Sequence, residues 1–523
     1  MSVKHAILNA MMLVTLLALP VQCLIDPSAV NIGAVCIVVT SSLVLLSYIK
    51  WGGAAEDQPL STIALFGFLV TTQLGALLVQ TVYLTPLRYS LYTPLYTFGT
   101  MAFYQAIAML MHVIYRFFHL HRAGEEGVIR GFVRWSGIYT VPPSGALWFM
   151  AFVGLCSFVL SSREGILSKI GSGFNFLAWA PFLIPIFIRE IGPTYCNARR
   201  NLSGLAVYTG FVILMGIALN VRVIMLIGVI TVALIYFLIG IRNTAPLQRK
   251  SLIKLGVAAL VMAALSVPVS NLTTAMAIAR GSRGKLPPIA MIQKTISIFR
   301  RPALIEEYRR ENSSASRTAA YDEFYIANPL LARFVETKFH DNMLHSASLI
   351  TSDLARDRLW QATSNATWSA LPTPLLKVFD VYVDKHDLEF SMGDYMVHLT
   401  RGLPLAGHKT GSMFAQGIAL MGPLFPIVYA LIIFLKFALM DLLQIRNESG
   451  GSRLSALAMM SLWIYFYRGA VQDAISNDVT FIIRNFAQTL LIYVIILGVT
   501  RIMFGVRRWN EGLSPASTAQ HGI

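Results

Sequence analysis

A chain of 523 residues, 55% hydrophobic and only 13% charged, is not an ordinary soluble protein. Soluble domains carry about 25% charged residues, and a chain this long would divide into domains with more polar surface, not one larger core. The formal net charge of +16 would point to nucleic acid in a soluble protein, but here Lys and Arg stand between apolar runs, where they set membrane topology and meet anionic headgroups.

A membrane-spanning helix needs about 20 mostly apolar residues. The first run, 6–24, follows Lys4 and has the shape of a signal peptide. A small-residue cleavage site is missing and Gln22 precedes Cys23, so the run is read as a retained span. Further apolar runs lie at 30–49, 61–83, 94–116, 145–161, 174–188, 202–219, 223–241, 255–273, 412–435, 454–470 and 485–503. The sequence therefore predicts an all-α polytopic membrane protein with about 12 transmembrane helices. Three parts follow: helices 1–9 in residues 1–273, one large loop in 274–411, and helices 10–12 with a tail in 412–523.

Placing the N-terminus in the cytoplasm puts Lys50, Arg130, Arg134, Arg199, Arg200, Arg242 and Arg453 inside. Roughly three-quarters of the basic residues outside the large loop then fall on the cytoplasmic side. Both termini are cytoplasmic and the large loop is periplasmic. Its stretches 289–309 and 327–361 carry apolar residues at helical spacing, which predicts a small helical subdomain lying over the outer membrane surface. Cys23, Cys36, Cys156 and Cys196 lie in or beside apolar runs without metal-ligand spacing. They read as small buried hydrophobes.

Charges at membrane edges are the candidates for chemistry, because burying them is expensive. Arg222, in the turn Leu219-Asn220-Val221-Arg222, reads either as an interfacial Arg or as an anion-binding one. Arg280, Arg283 and Lys285 follow the ninth run among glycines that let backbone N–H groups approach an anion. The pattern is not a P-loop. His408, in Gly407-His408-Lys409-Thr410-Gly411-Ser412, precedes the tenth run. It reads as a general base, a phosphate donor or a solvated loop histidine. His340 and His345 are five apart and lack zinc spacing. Arg468, Asp473, Asp478 and Arg484 flank the last turn. They either pair with one another, or Arg468 lines an outer cavity with Arg222.

The stretch Ala218-Leu219-Asn220-Val221-Arg222-Val223-Ile224-Met225-Leu226 resembles the turn-plus-span of the O-antigen polymerases, the oligosaccharide repeat-unit polymerases. A second likeness runs from Gly407-His408-Lys409-Thr410-Gly411-Ser412 to Met421-Gly422-Pro423-Leu424, and the layout of spans and loop is similar. Asn220-Val221 departs from the Gly or Ser of that family's turn. The resemblance implies a glycosyltransferase of the bacterial inner membrane, independent of metal and cofactor. It would polymerise polyprenyl-pyrophosphate-linked oligosaccharide repeat units for surface polysaccharide, O-antigen or exopolysaccharide. By the same resemblance His408 and Arg222 are catalytic, and Arg222, Arg280, Arg283 and Arg468 bind the pyrophosphate. Its implied partners are the lipid-linked oligosaccharide, membrane lipid, a chain-length regulator and a flippase, with no nucleic acid. An O-antigen ligase-like transfer, a polysaccharide or lipid-linked sugar transporter (flippase), and a non-catalytic membrane assembly component remain open.

Overall fold

The computed structural model describes residues 1–121, 128–161, 171–314, 326, 328, 331–384, 387–446 and 452–505. Seven long helices come first: α1 (Val3–Ile25), α2 (Ala29–Trp51), α3 (Pro59–Val82), α4 (Pro94–His121), α5 (Ser144–Ser161), α6 (Ala198–Ala218) and α7 (Ile224–Arg242). Polar caps start several of them. Ser2 accepts from the His5 N–H and Ser28 from the Asn31 N–H, each at 3.3 Å and each just before an apolar run. After α8 (Arg249–Ala279) the large segment holds α9 (Pro288–Phe299), α10 (Thr337–Leu349), α11 (Asp353–Trp368) and α12 (Met392–Arg401). The run Met413–Leu443 contains α13 (Met413–Met421) and α14 (Phe425–Met440). Short α15 (Leu462–Arg468) and long α16 (Ile475–Phe504) follow.

Among the described residues nine helical runs are long and apolar enough to cross a membrane: α1 to α7, Met413–Leu443 and α16. This is a polytopic membrane protein. Their outward faces carry bare apolar side chains, such as Leu17 on α1, Phe211 on α6 and Ile502 on α16. That exposure suits hydrocarbon as solvent and would be a liability in water. Cys36 and Cys156 lie on such faces, exposed and not buried as expected. The apolar sequence around them conceals which side of a helix meets lipid.

The other three predicted runs take different forms. Asn175–Leu183 is wound as a tight helix of about three residues per turn before Ile184–Ile191 turns α-helical. The ninth run extends into the 31-residue α8. The run 454–470 becomes Ala456–Met460 and α15, which together stop short. A two-stranded hairpin pairs Gln444–Arg446 with Ser452–Leu454 and supplements the helical fold. Residues 506–523 of the C-terminal part lie outside the described residues.

One end of the bundle gathers chain segments far apart in sequence. The Val3 N–H donates to the Ala245 carbonyl at 3.0 Å, and Lys4 pairs with Glu56 at 2.5 Å. The Ser452 hydroxyl donates to the Glu56 carbonyl at 3.0 Å, and Tyr139 donates to the Leu442 carbonyl at 2.6 Å. The large segment occupies the opposite end, but it does not stay outside the helices. Met343 and Leu344 of α10 and Met392 and Met396 of α12 share one apolar core with α3, α4 and α14.

Candidate functional site

Helix α10 begins inside the bundle with polar side chains. Thr337, Lys338, His340, Asp341 and Asn342 are all buried. Burial of such groups is costly unless their hydrogen bonds are made; those of Asp341 and Lys338 are made, while the buried Asn342 amide finds no partner among the described residues. The Asp341 carboxylate accepts from the N–H groups of Tyr92 at 2.7 Å and Thr93 at 2.9 Å, and from the Thr97 hydroxyl at 3.0 Å. It thereby caps the N-terminus of α4 from another part of the chain, where the helix dipole favours an anion. Lys338 lies 3.7 Å from the same carboxylate and donates to the Ser90 carbonyl.

The start of α10 is fixed on the middle of α3. Val70–Leu74 of α3 forms a single π-turn, which releases carbonyls from the regular ladder. The Glu336 N–H donates to the Thr71 carbonyl at 2.7 Å, and the Thr337 hydroxyl donates to the Thr72 carbonyl at 2.8 Å. The freed acceptors of one helix thus hold the entry of the other.

Glu336 then meets α15. Both Arg468 Nη atoms donate to its carboxylate at 3.0 Å, and the Tyr467 hydroxyl donates at 2.5 Å. Asp473 takes Arg468 Nη1 at 2.9 Å. Helix α15 stops level with the middle of α3. A Cβ on Gly67 would stand 1.7 Å from the Phe466 carbonyl oxygen, so only glycine permits this backbone crossing. Residues 469–474 after α15 are not helical. Irregular backbone at such a depth survives where protein groups satisfy it. Lys436 Nζ and Gln472 Nε2 each donate to the Arg468 carbonyl at 3.0 Å. The Met413 N–H donates to the Gln472 carbonyl at 3.1 Å. Gln416 accepts from the Ile475 N–H at 2.9 Å. Lys436 also pairs with Asp478, both side chains being buried.

Beside this break lies a cavity of about 570 Å³. Its polar lining includes Ser461, Arg468, Gln472, Asn477, Arg484 and Gln488. Arg484 sits on a second π-turn, Phe481–Asn485, which interrupts α16. Among the described residues no carboxylate stands within ion-pair distance of Arg484. Arg468 contributes to the same wall but spends its guanidinium on Glu336 and Asp473. The cavity can therefore receive an anion at Arg484 and hydroxyl or amide partners along the Gln and Asn side chains.

A polar loop closes above. His340 Nδ1 and the Ser412 hydroxyl lie 2.8 Å apart. Ser391 and Asp394 form a capping box at the start of α12, and the Lys409 N–H and ammonium donate to Asp394 at 3.2 and 3.3 Å. Burial acts to raise the Asp394 pKa, but the hydrogen bonds from Ser391 and Lys409 together outweigh it and hold it below the usual carboxylate value. His408 projects into solvent with φ +49°. A Cβ on Gly411 would lie 2.3 Å from the Asp473 carbonyl oxygen, so this loop and the 469–474 break touch backbone to backbone.

The sequence candidates therefore divide. Arg468 belongs to the buried cluster and the cavity wall. His408 stands on the loop joined to that cluster through Gly411. The turn carrying Arg222 packs elsewhere, where Ile217 and Met225 meet Met276 of α8 and Ile292 of α9. Arg280 and Arg283 are exposed just beyond α8. None of these three Arg residues lines the cavity. Glu336, Lys436 and Gln416 are not among the sequence candidates, although a Lys and a Gln inside or beside apolar runs are the signal that membrane burial makes informative; Glu336, in the large loop, carries no such signal. Among the described residues no group of three His, Cys, Asp or Glu is placed to hold a metal ion. The chain matches no protein family, no curated protein and no solved structure.

Proposed function

We propose that the protein polymerises polyprenyl-pyrophosphate-linked oligosaccharide repeat units at the outer face of a bacterial inner membrane. In this reading the chain crosses the membrane 12 times, with both termini cytoplasmic and residues 274–411 outside. The basic residues between apolar runs support that orientation, as does the meeting of the N-terminus, the 52–58 loop and the hairpin at one end. The single observation that carries the activity is the cavity beside the broken helix, with Arg484 facing it and amide side chains around it.

The acceptor hydroxyl attacks the anomeric carbon of the donor sugar. The bond from that carbon to the diphosphate oxygen breaks, and the diphosphate leaves with the electron pair. Arg484 neutralises the charge that develops there, which needs no metal. Arg468 is a positioning residue, held by Glu336, and through it Asp473 is set to take the acceptor proton. His408, exposed on the loop that Gly411 joins to the 469–474 break, is the alternative proton acceptor. Arg222, Arg280 and Arg283 meet lipid-linked substrate or headgroups away from the cavity.

The reading is tested by surface-glycan electrophoresis in a deletion strain carrying wild type, Arg484→Lys or Arg484→Ala at equal expression. Removal of one transition-state cation lowers chain transfer by about 10²–10³-fold, so Arg484→Ala leaves single repeat units and Arg484→Lys restores part of the ladder. A normal ladder in the deletion strain defeats the polymerase reading. One observation favours a second reading, transport of a lipid-linked sugar: transporters place broken helices at their binding sites, and α15 ends on irregular backbone beside the buried Lys436–Asp478 pair. Repeat units trapped on the cytoplasmic face of the deletion strain would select it.

A further inference from the structure

At the end of the bundle opposite the large segment, six side chains from five parts of the chain form one hydrogen-bonded line. Asp57 pairs with Arg116 Nη2 at 2.5 Å. Arg116 Nη1 donates to the Tyr48 oxygen at 3.2 Å. The Tyr48 hydroxyl and His112 Nδ1 are 2.7 Å apart, and His112 Nε2 and the Ser61 oxygen 2.8 Å. Ser61 donates to Asp441 Oδ2 at 2.5 Å, while its N–H reaches Oδ1 at 3.3 Å. His112, Ser61 and Asp441 are each 0% exposed. Among the described residues no Lys or Arg nitrogen lies within ion-pair distance of Asp441.

We propose that Asp441 is a proton-binding site within the bundle, loaded from water along Tyr48, His112 and Ser61. Donor counting gives the line a direction. A guanidinium cannot accept, so Tyr48 receives from Arg116 and gives its own proton to His112 Nδ1. His112 then carries its proton on Nε2 and donates to Ser61, which donates to the Asp441 carboxylate. Every hydroxyl, ring nitrogen and carboxylate along the line from Tyr48 to Asp441 is satisfied in that state.

A second state is equally satisfied. The Ser61 proton moves to Asp441 Oδ2, the His112 Nε2 proton moves to Ser61, the Tyr48 proton moves to His112 Nδ1, and half-buried Tyr48 regains one from water. The carboxylic acid now donates to Ser61, Ser61 to Nε2, and Nδ1–H to Tyr48. One proton has gone from water to Asp441 and no heavy atom has changed partners. Arg116 is never deprotonated; with Asp57 it pins the Tyr48 oxygen at the mouth.

The charged and titratable groups around Asp441 are His112 and Arg116 on α4, Tyr48 on α2, Asp57 before α3, Arg130 on Val128–Trp135, Tyr465 on α15, and Lys436 earlier on α14. A buried carboxylate answered by hydroxyls and a neutral imidazole is the arrangement that intramembrane proton pathways use. The line is separate from the Arg484 cavity and stands whether or not the glycan reading survives.

Infrared difference spectra of the full chain in lipid nanodiscs, between acid and alkaline buffer, test the site. The expected result is a carboxylic-acid carbonyl band that appears on acidification, is lost in Asp441→Asn, and exchanges rapidly with deuterium. Ser61→Ala should keep the band, move it to higher frequency as the acid loses its partner, and slow its exchange. His112→Phe should slow exchange without moving the band. An unchanged set of titrating carboxyl bands in Asp441→Asn overturns the site, and exchange as fast as wild type in both relay variants overturns the path. Should Asp441→Asn fail to fold, an unmoved band in Ser61→Ala overturns the proposal alone.

Discussion

The two ends of the bundle bury polar groups by opposite means. Near the large segment, Arg468 is held by Glu336 and Asp473, and Lys436 by Asp478, so charge answers charge around a broken helix. At the other end, Asp441 is answered by Ser61 and, through it, by His112 and Tyr48. The ionic cluster borders an open cavity, whereas the hydrogen-bonded line is buried from His112 to Asp441 and meets water only at Tyr48. Ion pairs lock backbone that has lost its helical partners, because each charge would be stranded without the other. A line of hydroxyls and an imidazole leaves its geometry intact when a proton moves. One end is built to hold a shape and the other to change a protonation state.

Removing one partner of the ionic cluster should give the largest effect. Glu336→Ala removes the bidentate partner of Arg468 and the carboxylate that accepts from the Tyr467 hydroxyl. Breaking a buried pair costs about 3–5 kcal/mol, so thermal unfolding in detergent should show a large loss of stability. Replacing Lys436 and Asp478 together by Met and Leu should be far milder than either single change, since paired replacement leaves no stranded charge. If the single and double variants unfold alike, the pair does not secure the break. The crossing of α3 and α15 should come next. Gly67→Ala drives a methyl into the Phe466 carbonyl, and overpacking of this kind costs about 1–3 kcal/mol. Gly498→Ala, with open space around it, is the matched control and should leave the unfolding temperature unchanged.

Much of this division was hidden from the sequence for a physical reason. Apolar runs mark helices through composition alone, so α1 to α7 are legible within about five residues, whereas Met413–Leu443 continues past the expected end at 435. The insertion of α10 is not, because Glu336 and Asp341 look like loop carboxylates until Thr71, Tyr92 and Arg468 are brought to them from 132 to 265 positions away in the hydrogen-bond pattern of α3, α4 and α15. Arg468 stands out behind its aromatic run, yet that run suggests a membrane surface, whereas Gly67 and Gly469 place its end against the middle of α3. Arg484 also stands out in the sequence, where its acidic neighbours suggest pairing. The π-turn that aims it at the cavity has no composition signature. His112 and Asp441 sit in or beside apolar runs, and only their shared contact with Ser61 distinguishes them from ordinary boundary residues.

The smallest predicted effect sharpens the comparison at the mouth of the ionic end. Hydrogen bonds from Ser391 and Lys409 hold the Asp394 pKa below its ordinary value of 3.8. A carboxylate whose pKa is lower folded than unfolded adds stability that is complete above the unfolded value and disappears as pH falls through the folded one. The clamp on the His408 loop should therefore be intact at neutral pH and open only below about pH 3.8. A helix cap contributes about 1 kcal/mol, so the global unfolding temperature should barely respond. The local reading is the hydrogen-exchange protection of the Lys409 amide, which donates directly to Asp394. Protection should be lost on acidification in the wild type, and should be low and insensitive to pH in Asp394→Asn. If protection in Asp394→Asn still follows the wild-type curve, another carboxylate governs the loop, and His408 is positioned by something other than the capping box of α12.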